Sequence, residues 1–170
     1  SRWFHPGTIP NIRMIRSVFK QRHPSIFLFR CVSSIGKDGG VQDLFLGSDC
    51  YYTGVILHEM THATGFYHEQ SRYDRDKYVQ VNWENILPGN IYFNKETQYL
   101  DTLRAPYDYG SIMHYGRMTF SANGKPTLTP LFDPKGTMGQ RDEFSELDVW
   151  KINKLYQCTG SKSINAKKKG

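Results

Sequence analysis

Residues 58–68 read HEMTHATGFYH, and no other stretch of the 170-residue chain limits its fold as strongly. His58 and His62 are four residues apart, so on a helix both imidazoles leave the same face about one turn apart. Two such rings reach one tetrahedral ion. Glu59 sits about 100° around that helix, close enough to meet a water at the ion without ligating it. A third ring cannot join from the same straight face without crowding. The chain has to turn after His62, and Gly65 is the residue type that permits a left-handed helix end. His68 then returns as the third ligand.

The plain alternative is a polar helix with solvated histidines. Five fixed positions at ~1/20 each over the available starts make a chance match about 5 in 100,000. The metal reading prevails: three imidazoles with one position left for water, the long zinc-protease pattern.

The flanking sequence supplies a frame for this helix. Tyr52 to Thr64 contains no proline, and Ile56, Met60 and Ala63 recur at helical spacing, which predicts an apolar stripe opposite His58 and His62. Upstream, Ser25–Phe29 and Val41–Leu46 read as neighbouring strands, with Gly36, Gly39 and Gly40 turning between them. Residues 70–110 are rich in Asn, Asp, Tyr and Pro without a period, which predicts irregular structure with short helical turns. Met118–Leu128 suits a hairpin around Asn123-Gly124. Ser145 opens a final helix, with Asp148 in capping-box relation and Val149, Ile152 and Tyr156 as its buried stripe.

Composition excludes several function classes. Apolar residues at 38%, aromatic at 14% and charged at 22% describe one globular domain. The net charge of +6 is concentrated in Lys162, Lys167, Lys168 and Lys169, a solvated tail over 159–170. With no basic helix or aromatic-studded basic strand beside it, nucleic-acid binding is not expected. No apolar run approaches the ~20 residues of a membrane span. The chain begins at Ser1 with no signal core, as a processed form or fragment would.

A second motif, SIMHY at 111–115, brings a resemblance with it. The chain resembles the astacin family of zinc endopeptidases, within the metzincins, whose methionine turn reads SxMHY. The likeness runs from Cys31 to Cys158, through GFYHEQSRYDRDKYV from Gly65, PYDYGSIMHY from Pro106, MGQR from Met138 and KINKLYQC from Lys151. It implies an α+β, zincin-like catalytic domain over 1–158. A twisted mixed sheet and the active-site helix would form an N-terminal subdomain to residue 68, with 1–30 divergent. An irregular C-terminal subdomain with a final helix would follow over 69–158, and a cleft would lie between the two.

The resemblance also implies roles. One zinc ion is held by His58, His62 and His68, with Tyr115 as an added ligand that swings away to donate to the oxyanion. Met113 lies as an apolar floor beneath the rings, and His114 is not a ligand. Glu59 is the general base of water attack on the scissile carbonyl. Glu69 stands where the family receives a buried amino terminus through water. Substrate pairs with a sheet edge that reads Cys31-Val32-Ser33-Ser34-Ile35-Gly36, so Val32 and Ser34 replace two aromatic walls. Uncharged Thr129, Pro130 and Leu131 imply small or uncharged residues after the cleaved bond. Cys31 and Cys50 match one family disulfide, worth about 3 kcal/mol. Cys158 matches half of a second, whose other cysteine this chain lacks, leaving one thiol or a disulfide-linked dimer of an otherwise monomeric protein.

The function expected is a secreted, extracellular zinc endopeptidase acting on protein or peptide substrates. The runner-up is an astacin-like scaffold that binds zinc or peptide without efficient proteolysis, suggested by the divergent N-terminus and the odd cysteine.

Overall fold

The computed structural model describes residues 31–96, 101–133 and 136–158, together with the backbone of 11–16. The expected strand at Ser25–Phe29 and the Lys tail lie outside the described residues. The sheet is mixed, as expected. Strand β3 (Val41–Leu46) is central, with β1 (Asn11–Arg16) parallel on one side and β2 (Cys31–Ser33) antiparallel on the other. β3 alternates as a half-buried strand should: Gln42, Leu44 and Leu46 point inward and Val41 outward. Leu44, Leu46 and Cys50 form a small core that Val55 and Ile56 of the following helix cover.

Between β2 and β3 the chain turns through Gly36, whose φ is 79°, a left-handed conformation that favours glycine. The Gly36 N–H bonds the carbonyl of His62 at 2.8 Å, tying this turn to the helix that bears the histidines. Cys31 and Cys50 are joined by a disulfide, which clamps β2 to the turn preceding that helix.

Helix α1 runs Thr53–Ala63. It ends in the two hydrogen bonds of a Schellman motif, Phe66 N–H to Thr61 carbonyl at 3.3 Å and Gly65 N–H to His62 carbonyl at 2.8 Å, with Gly65 at φ 101°. Its apolar stripe differs from the expected one. Ile56 packs on the core and Ala63 is buried, but Met60 is 40% exposed. The covered arc runs from Thr61 through the histidines and Glu59 to Ala63, so Met60 falls just outside it.

Past His68 the chain is irregular, with 3-10 turns at Glu69–Ser71, Arg75–Lys77 and Trp83–Asn85. The hairpin expected over Met118–Leu128 does not pair with itself as a ladder. Asn123-Gly124 does turn the chain, but β5 (Leu128–Pro130) pairs with β4 (Val79–Val81), a strand hidden among polar residues. The Arg117 carbonyl takes the N–H groups of Thr127 and Leu128, closing residues 117–128 as a loop. A second core of Val79, Ile86, Phe93, Tyr107, Tyr115, Leu128 and Met138 lies under this ribbon.

Helix α2 spans Glu146–Tyr156 behind the expected capping box of Ser145 and Asp148. Its buried residues are not the expected stripe. Val149 is 45% exposed, whereas Asp148 and Lys151 are buried. The reason is what covers the helix: Glu69, Ser111 and Ile112 present polar groups to it, so an acid and a base face inward.

Candidate metal centre

α1 presents His58 and His62 one turn apart, and the Gly65 turn returns His68 toward them. Their ligand nitrogens lie within 4.8 Å of one another, and no other group of three or more such side chains forms among the described residues. Nε2 of His68 lies 3.2 Å from Nε2 of His58 and 3.2 Å from Nε2 of His62. Neighbouring donors on a tetrahedral zinc, with bonds of 2.0–2.1 Å, stand about 3.3 Å apart.

The tautomers support the same reading. Nδ1–H of His58 donates to the Ile112 carbonyl at 2.7 Å, and Nδ1–H of His62 donates to the Phe66 carbonyl at 2.7 Å. Carbonyl oxygens only accept, so both Nε2 atoms carry lone pairs directed at the centre. A proton on His68 would satisfy one of its two neighbours; a single cation satisfies all three. The three imidazoles are also kept neutral, the form that ligates. Burial first, then His62 and Arg141, lowers His58 to about 3, and burial lowers His62 to about 4. His68 is held well below its ordinary value by burial and the two neighbouring rings. These residues fit a zinc ion.

Glu59 is buried beside the cluster but not part of it. Burial raises its carboxyl to about 7, opposed by the Arg141 charge and by a backbone hydrogen bond from Ser33 of β2. The sheet edge therefore borders the carboxylate, with Val32 41% exposed and Ser34 exposed on either side of Ser33. Pro130 and the exposed Leu131 lie at the end of the β4–β5 ribbon, where the Leu131 N–H bonds the Tyr78 carbonyl.

Residues 111–115 are all buried against this centre. Met113 is 2% exposed, and its carbonyl accepts the N–H of Glu69, next to His68, at 3.0 Å. The Tyr115 ring lies 4.4 Å from that of His68, centroid to centroid. Burial raises its phenol to about 12. Its backbone N–H is held by Gln70 Oε1 at 3.0 Å. His114 faces away from the cluster, with Nδ1–H on the Tyr115 carbonyl and Nε2 accepting from the Tyr107 hydroxyl, both at 2.7 Å.

Sequence reasoning missed several contributors. Arg141 donates to the carbonyls of His114 and Gln140, and its charge acts on the three imidazoles, Glu59 and Tyr115. MGQR was its only signal in the sequence. The carbonyls of Ile112 and Phe66, which set two tautomers, have no side-chain signature. Glu69 stands where the family receives an amino terminus, and this chain's first ten residues lie outside the described ones. Among the described residues its carboxylate takes Arg72 at 3.0 Å, Lys151 at 2.8 Å and the Asp108 N–H at 3.0 Å. Cys158 is exposed beyond α2 and takes no part in the Cys31–Cys50 bond.

A mixed sheet backed by α1, with three neutral imidazoles converging beside the buried 111–115 segment, defines a metzincin-like zinc-site domain. Comparison with known proteins agrees. Residues 19–157 match the model of the Astacin peptidase family, and the chain belongs to that family. It is 50% identical over 137 residues to zinc metalloproteinase nas-4 of Caenorhabditis elegans, covering 79% of this chain and 44% of that one. It is also 50% identical over 131 residues to high choriolytic enzyme 1 of Oryzias latipes, covering 75% and 48%. The chain thus spans less than half the length of these relatives. The solved structure of high choriolytic enzyme 1, a hatching enzyme zinc-protease from medaka fish, superposes with a TM-score of 0.75 at 41% identity, covering 91% of this chain and 72% of that chain. No helix among the described residues is long and apolar enough to cross a membrane.

Proposed function

We propose that this chain is a zinc-dependent endopeptidase that hydrolyses internal peptide bonds of protein substrates outside the cell. The observation that carries the reading is the convergence of three neutral imidazoles with a buried carboxyl, Glu59, beside them and outside their cluster. Held by His58, His62 and His68, zinc supplies Lewis-acid polarisation of a water and of the scissile carbonyl.

Glu59 takes the proton that the attacking water gives up and passes it to the nitrogen of the leaving amine. A carboxyl raised by burial suits both transfers. Tyr115 donates its O–H to the carbonyl oxygen as negative charge builds there. The substrate lies as an extended strand along β2, with Val32 and Ser34 toward it, in a cleft between residues up to 68 and residues 69–158. Pro130 and Leu131 border the far side, and Met113 is the apolar floor under the rings. The presence of every one of these groups favours an enzyme over a scaffold that binds zinc or peptide without cleaving it.

The test is Glu59→Gln. Parent protein should cleave unfolded protein chains, while the variant keeps its zinc and loses about 10²- to 10⁴-fold in rate. A folded, zinc-loaded parent that cleaves no faster than Glu59→Gln would overturn the reading.

A further inference from the structure

A hydroxyl and a peptide group link the carboxylate of Asp148 to the ring of His58. Ser111 Oγ–H donates to Asp148 Oδ1 at 2.6 Å. The Met113 N–H donates to the same Ser111 oxygen at 3.1 Å. That N–H belongs to the peptide whose carbonyl, on Ile112, accepts Nδ1–H of His58 at 2.7 Å. Every donor in this chain is determined. A peptide N–H cannot accept, so Ser111 Oγ receives from Met113 and its own proton goes to Asp148. The Ile112 carbonyl only accepts, so His58 carries its proton on Nδ1.

The direction is uniform. A carboxylate pulls on the hydroxyl proton, the hydroxyl oxygen pulls on the peptide N–H, and the polarised carbonyl pulls on the imidazole N–H. Bonds aligned in this way strengthen one another, most of all away from water. Asp148, Ser111, Ile112, Met113 and His58 are all buried. The second carboxylate oxygen is held separately, by the N–H of Ile112 at 2.8 Å and of Ser145 at 3.1 Å.

We propose that Asp148 and Ser111 are positioning residues for the metal centre, relaying the carboxylate's pull through the 112–113 peptide to make Nε2 of His58 a stronger zinc donor. Ligating histidines commonly hand their free N–H to a carboxylate or a carbonyl, and such partners tune metal affinity. Here the carbonyl is the immediate partner and the carboxylate acts two links further on. The same residue that caps α2 therefore reaches the metal. The proposal rests on the zinc reading of the three histidines.

The experiment measures zinc dissociation constants by competition with a chromophoric chelator, alongside the thermal midpoint of each zinc-free protein. Ser111→Ala removes one link and leaves the helix cap intact; Asp148→Asn removes the charge and weakens the cap. Ser145→Ala weakens the cap but leaves the relay whole. Ser111→Ala and Asp148→Asn should each bind zinc about 10-fold or more weakly. Ser145→Ala should melt earlier and keep the parent constant to within about twofold, since the cap alone carries a stability effect. In the zinc-loaded protein, the His58 Nδ1 proton resonance should move upfield in Ser111→Ala.

Parent-like zinc binding by Ser111→Ala overturns the relay. So does a loss of affinity in Ser145→Ala that matches the other two for the same fall in melting temperature. Should Ser111→Ala fail to fold, the contrast between Asp148→Asn and Ser145→Ala decides. A parent protein that binds no zinc would instead sink the function proposed above, a result distinct from either.

Discussion

Lys151 Nζ lies 2.8 Å from Glu69 Oε2, across 82 positions of sequence, with both side chains under a tenth exposed. Glu69 directly follows His68, so this ion pair fastens α2 to the segment that brings in the third imidazole. Arg72 holds the other oxygen of the same carboxylate.

Replacing Lys151 with Met should therefore be costly. Breaking a buried pair by removing one partner typically costs about 3–5 kcal/mol; since Arg72 remains, the lower end is expected. Lys151→Met with Glu69→Gln should recover part of the loss, because the leftover charge disappears. Urea midpoints of the single and double variants check this, and equal midpoints would show that the charge left on Glu69 is not the cause.

Tyr115→Phe keeps the ring that packs 4.4 Å from His68 and removes only the O–H. If that O–H serves the developing oxyanion, kcat should fall about 10²-fold with KM little changed. Steady-state kinetics on one peptide separate the two constants. A change confined to KM would make Tyr115 a substrate-binding residue instead.

Removing the metal should make stability depend on acid. In the zinc-free protein His58 and His62 titrate at about 3 and about 4, below the ~6.5 of an unfolded histidine. Between those values the unfolded chain binds more protons, so stability rises with pH there. The contribution is complete above about pH 6.5 and is lost as pH falls toward 4. Chelator-treated protein should unfold at clearly lower urea at pH 5 than at pH 7.5. An acid-insensitive midpoint would count against neutral, buried imidazoles.

Gly139 has φ 88°, and a Cβ there would come within 2.3 Å of the Gly116 Cα. Backbone cannot yield as a flexible side chain does. Gly139→Ala should thus cost at least about 1–3 kcal/mol, from left-handed strain plus the collision. Gly124→Ala is the comparison: its φ is 72° with nothing within 4 Å, so only the strain remains. Melting temperatures of the two variants should rank in that order.

The metal helix was legible because everything it needs is local. Spacing along one helix puts His58 and His62 on one face, Gly65 ends it, and His68 follows within a few residues. The capping box at Ser145 and Asp148 and the strand Val41–Leu46 were legible for the same reason. Local pattern misled where burial depends on distant partners. Met60 and Val149 fit an apolar stripe, yet neither faces a core, and Lys151 is buried because Glu69 waits for it. β4 could not be read at all, since three residues carry too little period and their partner β5 lies far along the chain.

The sequence by itself determined which atoms can bind a metal, because ligand type and helical spacing are properties of neighbouring residues. Only the tertiary structure decided how those atoms are held. The carbonyls of Ile112 and Phe66 choose the tautomers, Arg141 brings its charge to the site, and Asp148 reaches His58 through a hydroxyl and a peptide. Backbone groups are the same at every residue, and through-space charge ignores chain order, so neither leaves a mark in sequence until the fold brings the partners together.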